Sequence, residues 1–200
     1  MKKLIVARHA ERPEIPSNTV GNDVMLTEKG IEQSKLFASL IDLPLHSVKS
    51  SPIGRCIQTA NVIAQSLGFR VENIEQCKSL GDPGFIIQDS ELAWQHWLDK
   101  GHDAVNQHLI SGKEKWAGFH DLDHICNDIF NTIKELLSNS AYGTHLWITH
   151  DTILATLASR INNPNFTLND WPHFLGYMIF TYSNIGDIDI DYVQFPNFSS

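Results

Sequence analysis

Four consecutive apolar residues, Leu4-Ile5-Val6-Ala7, stand between Lys2-Lys3 and Arg8-His9. A strand with one wet face alternates apolar and polar side chains, whereas a short unbroken apolar run bounded by charge suits a strand buried on both faces. Such a strand belongs in the middle of a largely parallel sheet with helices above and below it. This segment therefore points to a layered α/β architecture, and the remaining pattern agrees. Thr27 offers a helix N-cap, followed by Ile31, Leu36, Phe37 and Leu40 at mostly helical spacing before Pro44. Ser47–Ser50 reads as a weak second strand. From Ile53 the positions Ile57, Ala60, Ala64 and Leu67 repeat every three or four residues, and Gly68 supplies a stop.

Further along, Ile125 to Leu137 marks a long helix, His145–Thr149 a strand, and Ile153 to Ile161 another helix. Leu175–Tyr182 and Ile188–Val193 read as two antiparallel edge strands joined by the turn Asn184-Ile185-Gly186-Asp187. Strands alternating with helices predict a three-layer α/β sandwich with a mostly parallel central sheet and helices on both faces. The expectation is one domain over 1–200, with a cap-like insertion at about 80–123. There Trp94, Trp97 and Trp116 lie among glycines and only short helical patterns are visible.

Composition narrows the function classes. With 42% hydrophobic residues the chain can build a core, and with 19% charged residues it has neither a disordered composition nor a membrane-spanning run. A formal net charge of −8 argues against a nucleic-acid-coating surface, so any anion site must be built locally. The apolar run near the N-terminus is too short for a signal-peptide core, which makes a cytoplasmic location the expectation. Cys56, Cys77 and Cys126 form no CxxC pair and are expected to be plain thiols.

In open α/β sheets ligands bind beyond the carboxyl ends of the strands. The three strand ends here are Arg8-His9-Ala10-Glu11-Arg12, Ser51-Pro52-Ile53-Gly54-Arg55 and His150-Asp151-Thr152. Of five arginines in the chain, Arg8, Arg12 and Arg55 fall at these ends, making a positive pocket in an acidic protein. Guanidinium forks grip phosphate oxygens in pairs, and a helix N-terminus adds N–H donors. A neutral imidazole can attack phosphorus, and a carboxylic acid can protonate the departing oxygen. With arginines to carry the developing charge, neither metal nor cofactor is expected.

At this point Arg8-His9-Ala10-Glu11-Arg12 resembles the RHG motif of the histidine phosphatase superfamily, with Ala10 in place of Gly. Ser51-Pro52 with Arg55, Gln58, Thr59 and Ala60 is similar to the second element, and His150-Asp151 to the late histidine. Leu26-Thr27 and Gly30 are similar to the helix between them. The resemblance implies that His9 is the nucleophile and that Arg8, Arg12, Arg55 and His150 hold the phosphate. It also implies Asp151 as general acid, since an His-Asp pair and a second arginine resemble the acid-phosphatase branch. Three departures qualify this: Pro13 directly follows Arg12, Ile153 stands where Asn is common, and the chain is short for that branch. Mutase-like members take their acid from mid-chain, where Asp82, Asp89 and Glu91 are available.

The reaction so implied is phosphomonoester hydrolysis on a phosphorylated small molecule, with a phosphoprotein substrate or a mutase reaction as alternatives. A phosphate-binding pseudoenzyme is the non-enzyme alternative, and neither nucleic acid nor membrane is expected as a partner. Singly, each residue has a plainer explanation. Arg8 and Arg12 could be ion-pair residues, Glu11 an ion-pair partner, Ser51 a turn residue and Asp151 a helix cap. His120 and His124 are four apart, as metal ligands on one helix would be, but the sequence shows no third ligand. Three His-Asp pairs, at 102, 120 and 150, invite a metal-dependent phosphohydrolase reading, but that family is all-helical. The tryptophans read as cap core, one of them at the substrate mouth.

Overall fold

A computed structural model describes residues 1–15, 19, 21–183 and 186–196. Among these, β1 (Lys2–Arg8), α1 (Glu28–Ala38), β2 (Leu45–Ser50), α2 (Gly54–Ser66) and β3 (Glu75–Gln76) come first. They are followed by α3 (Ser90–Ser111), α4 (Leu122–Asn139), β4 (Gly143–Thr149), α5 (Asp151–Ile161), β5 (Tyr177–Tyr182) and β6 (Ile188–Val193). The strands form one sheet in the order β3-β2-β4-β1-β5-β6. β3, β2, β4 and β1 are parallel, whereas β5 runs antiparallel to β1 and β6 antiparallel to β5. The mostly parallel α/β sandwich read from the sequence is the fold.

β1 pairs along one edge with β4 and along the other with β5, and the run Leu4–Ala7 is buried on both faces because helices cover each of them. Leu4 and Val6 join a core with α3, α4 and α5, while Ile5 and Ala7 join a second core with α1 and α2. β4 divides its side chains in the same way: Trp147 points to the first core, Leu146 and Ile148 to the second. Thr27 caps α1, its Oγ1 accepting from Gly30 N at 2.9 Å. Among the described residues no helix is long and apolar enough to cross a membrane.

The middle of the chain departs from expectation. Ser90–Ser111 is helical over 22 residues, where only short helical patterns were visible, and it is broken at Gly101 (φ 80°, ψ 170°). That left-handed break interrupts the apolar period, so the buried residues Ala93, Val105, Leu109 and Ile110 do not form one readable stripe. β3, two residues long, was also not visible in the sequence. The last parallel-to-antiparallel transition starts later than expected: Leu175, with φ 59°, precedes β5 rather than lying in it. Of the turn 184–187, Asn184 and Ile185 lie outside the described residues.

Candidate active site

Parallel register brings the three strand ends to one edge. Arg8 lies opposite Thr149 and Ser50 opposite Ile148, and the strand-like pairing continues one residue further. His9 N donates to Thr149 O and Ser51 N to Ile148 O, both at 2.9 Å. α2 and α5 begin immediately beyond, which places Arg55 in the first turn of α2 and Asp151 at the first position of α5.

His9 is 2% exposed. Its Nδ1 is 2.8 Å from Ala10 O, and because a carbonyl can only accept, Nδ1 carries the proton. Nε2 therefore keeps its lone pair, to which Arg55 Nε donates at 3.1 Å. Burial, with the charge of Arg8 adding to it, holds the His9 pKa well below 6.5, so the ring is neutral. Arg55 is fixed by a bond from Nη1 to Gly21 O at 2.7 Å, and its Nη2 donates to His150 Nδ1 at 3.4 Å. His150 then donates from Nε2 to Ser51 Oγ at 2.9 Å. Burial, and next Arg55, lower the His150 pKa to about 3.

Arg8 is anchored by a different set of partners. Its Nη1 donates to Pro172 O at 2.6 Å, its Nη2 pairs with Asp151 Oδ2 at 3.1 Å, and its guanidinium lies 4.2 Å from the Phe174 ring centre. Burial would raise the Asp151 carboxyl, but the Arg8 guanidinium holds it below the usual carboxylate range, and Thr152 N donates to it. Arg12 belongs to the same cluster, since after burial the charges of Arg55 and Arg8 are what lower its pKa. The Nε atoms of Arg8 and Arg12 are buried without a hydrogen-bond partner. Three guanidinium groups and two neutral imidazoles thus converge with one carboxylate, an arrangement suited to an oxyanion.

A cavity of about 360 Å³ opens from Arg55 and His150. Asp82 lines it, as do Trp94 and Trp97, whereas Trp116 stacks on His108 at 3.8 Å and does not. Asp89 caps α3, accepting from Glu91 N and Leu92 N, and neither it nor Glu91 reaches the cavity. Glu11 pairs with Lys29 at 3.1 Å. His120 precedes α4, so it shares no helical face with His124, which pairs with Asp128. Among the described residues no group of three His, Cys, Asp or Glu side chains could hold a metal ion.

Three contributors were not legible as site residues. Ser51 does more than turn the chain: besides accepting from Ile53 N it bonds His150. Phe174 packs on Arg8 and stands 5.8 Å from His9. Gly81 approaches so closely that a Cβ there would overlap His150 Nε2 and Ser51 Oγ. The glycine-rich stretch after Leu80 was the one sequence signal for the last of these.

The family model of the histidine phosphatase superfamily (branch 1) matches residues 4–178, which include every strand end described above. No curated protein matches in sequence. Among solved structures, phosphoserine phosphatase of Entamoeba histolytica in complex with 3-phosphoglyceric acid is similar at TM-score 0.65 and 18% identity, covering 96% of each chain. Mycobacterial glucosyl-3-phosphoglycerate phosphatase aligns at TM-score 0.63 and 13% identity over 97% of this chain and 98% of its own. Phosphoglycerate mutase from Bacillus anthracis str. Sterne aligns at 0.62 and 19% identity, over 96% and 92% respectively.

Proposed function

The chain belongs to the histidine phosphatase superfamily, branch 1, and from that premise we propose that it is a metal-independent phosphomonoesterase acting through a phosphohistidine on His9. The observation that carries this reading is the state of His9: neutral, with its proton held on Ala10 O and its Nε2 lone pair facing Arg55. An incoming phosphoryl group draws Arg55 from that lone pair onto its own oxygens. Nε2 then bonds to phosphorus as the bond to the leaving oxygen breaks. Arg8, Arg12 and Arg55 take the charge on the remaining oxygens, with His150 alongside.

Asp151 gives its proton to the leaving alkoxide, and its carboxylate then accepts one from the water that cleaves the P–N bond, releasing inorganic phosphate and restoring His9. In the free protein Asp151 is ionised and bound to Arg8. A substrate dianion that competes for Arg8 removes this partner and adds a like charge, and both effects raise the Asp151 pKa toward protonation. Asp82 is favoured as an alternative donor by its place on the cavity wall next to Gly81.

The test is hydrolysis of an aryl phosphate with a chelator present. The wild-type protein is expected to turn over under these conditions, and His9→Ala to lose roughly four orders of magnitude or more while still binding vanadate. Chelator-abolished activity, or a phosphoryl group trapped on another residue, would refute the proposal.

A further inference from the structure

We propose that the cavity beside the phosphate cluster selects esters of uncharged apolar or aromatic alcohols and rejects leaving groups that carry a second anion. This rests on the phosphatase reading and names its substrate class. Trp94 and Trp97, half-buried and stacked with ring centres 6.4 Å apart, form one wall from α3. Ile86, Pro83 and Ile153 extend it as apolar surface. The titratable side chains among its described lining residues are Arg55, Asp82 and His150. Arg55 is engaged by the phosphoryl group, so a second anion on the substrate finds no cation in the wall and meets the carboxylate of Asp82. An ionised group desolvated without a partner is disfavoured, whereas a ring or alkyl chain gains by leaving water. At about 360 Å³ the cavity is near the small end for ligand sites, which suits a small-molecule ester.

The experiment compares kcat/KM for ethyl phosphate, benzyl phosphate and 3-phosphoglycerate, whose leaving groups are all primary alkoxides rather than activated phenolates. Benzyl phosphate is expected to exceed ethyl phosphate by about tenfold or more, with 3-phosphoglycerate below both. Trp97→Ala should pull the benzyl-to-ethyl ratio toward one. Ser90→Lys, at an exposed cavity-lining position, should raise the ratio of 3-phosphoglycerate to ethyl phosphate. Turnover of 3-phosphoglycerate equal to or better than that of benzyl phosphate overturns the selectivity and leaves the phosphatase reading standing. If no ester is turned over, the phosphatase reading falls. Calorimetric binding of benzyl phosphate and 3-phosphoglycerate to His9→Ala then decides the cavity's preference independently, and equal or tighter binding of 3-phosphoglycerate refutes it.

Discussion

At the scale of single residues, proton placement governs what the site can do. Ala10 O fixes the His9 tautomer, and Arg8 fixes the charge of Asp151. If Asp151 is the proton donor in the substrate complex, Asp151→Asn slows His9 phosphorylation by about 10²–10⁴-fold for an alkyl phosphate. It slows a nitrophenyl phosphate far less, because nitrophenolate departs without a proton. If Asp82 is the donor, Asp82→Asn shows that differential instead, and Asp151→Asn falls equally on both esters through loss of the Arg8 partner. Single-turnover rates of the two variants on the two esters distinguish these outcomes.

Among elements, the loop entering the cavity is tightly constrained at Gly81. Gly81 has φ 150° and ψ 147°, a region that side-chain-bearing residues avoid, and its Cα faces His150 and Ser51. Gly81→Ala is expected to displace His150 and lower kcat/KM by about tenfold or more, at a stability cost of roughly 1–3 kcal/mol. An alanine variant with unchanged activity and melting temperature would contradict that packing. The same loop shows where sequence legibility ends. β1 and β4 were readable because burial on both faces leaves compact, mostly apolar runs, α2 and α5 because burial of one face imposes a helical period, and their ends carried the arginines and histidines in plain view. α3 was hidden by the break at Gly101, and β3 by its length. The bond from His150 to Ser51, the Phe174 ring over Arg8 and the left-handed Leu175 depend on the paths of loops, which no periodicity records.

For the molecule as a whole, buried histidines set the response to acid. His9 and His145 are lowered, His108 to about 4 and His150 to about 3, with burial the largest cause for each. Below pH 6.5 the unfolded chain therefore binds protons that the folded chain refuses, so stability falls as pH falls from about 6.5. Each such histidine adds a slope of up to about 1.4 kcal/mol per pH unit. Urea midpoints should drop steadily between pH 7 and pH 5, and a flat series over that range would contradict the burial of these rings. The strand order has a different consequence, for the time course of synthesis. β1 and β2 are joined only through β4, which enters between them from the C-terminal half. A nascent chain that has emerged only as far as α4 already carries His9 and Arg55, yet its first two strands have no strand to pair with between them and no His150. On the proposed function, phosphate binding is therefore expected to arrive late and at once, when β4 slots into the sheet, and a chain truncated before it holds the arginines without the pocket.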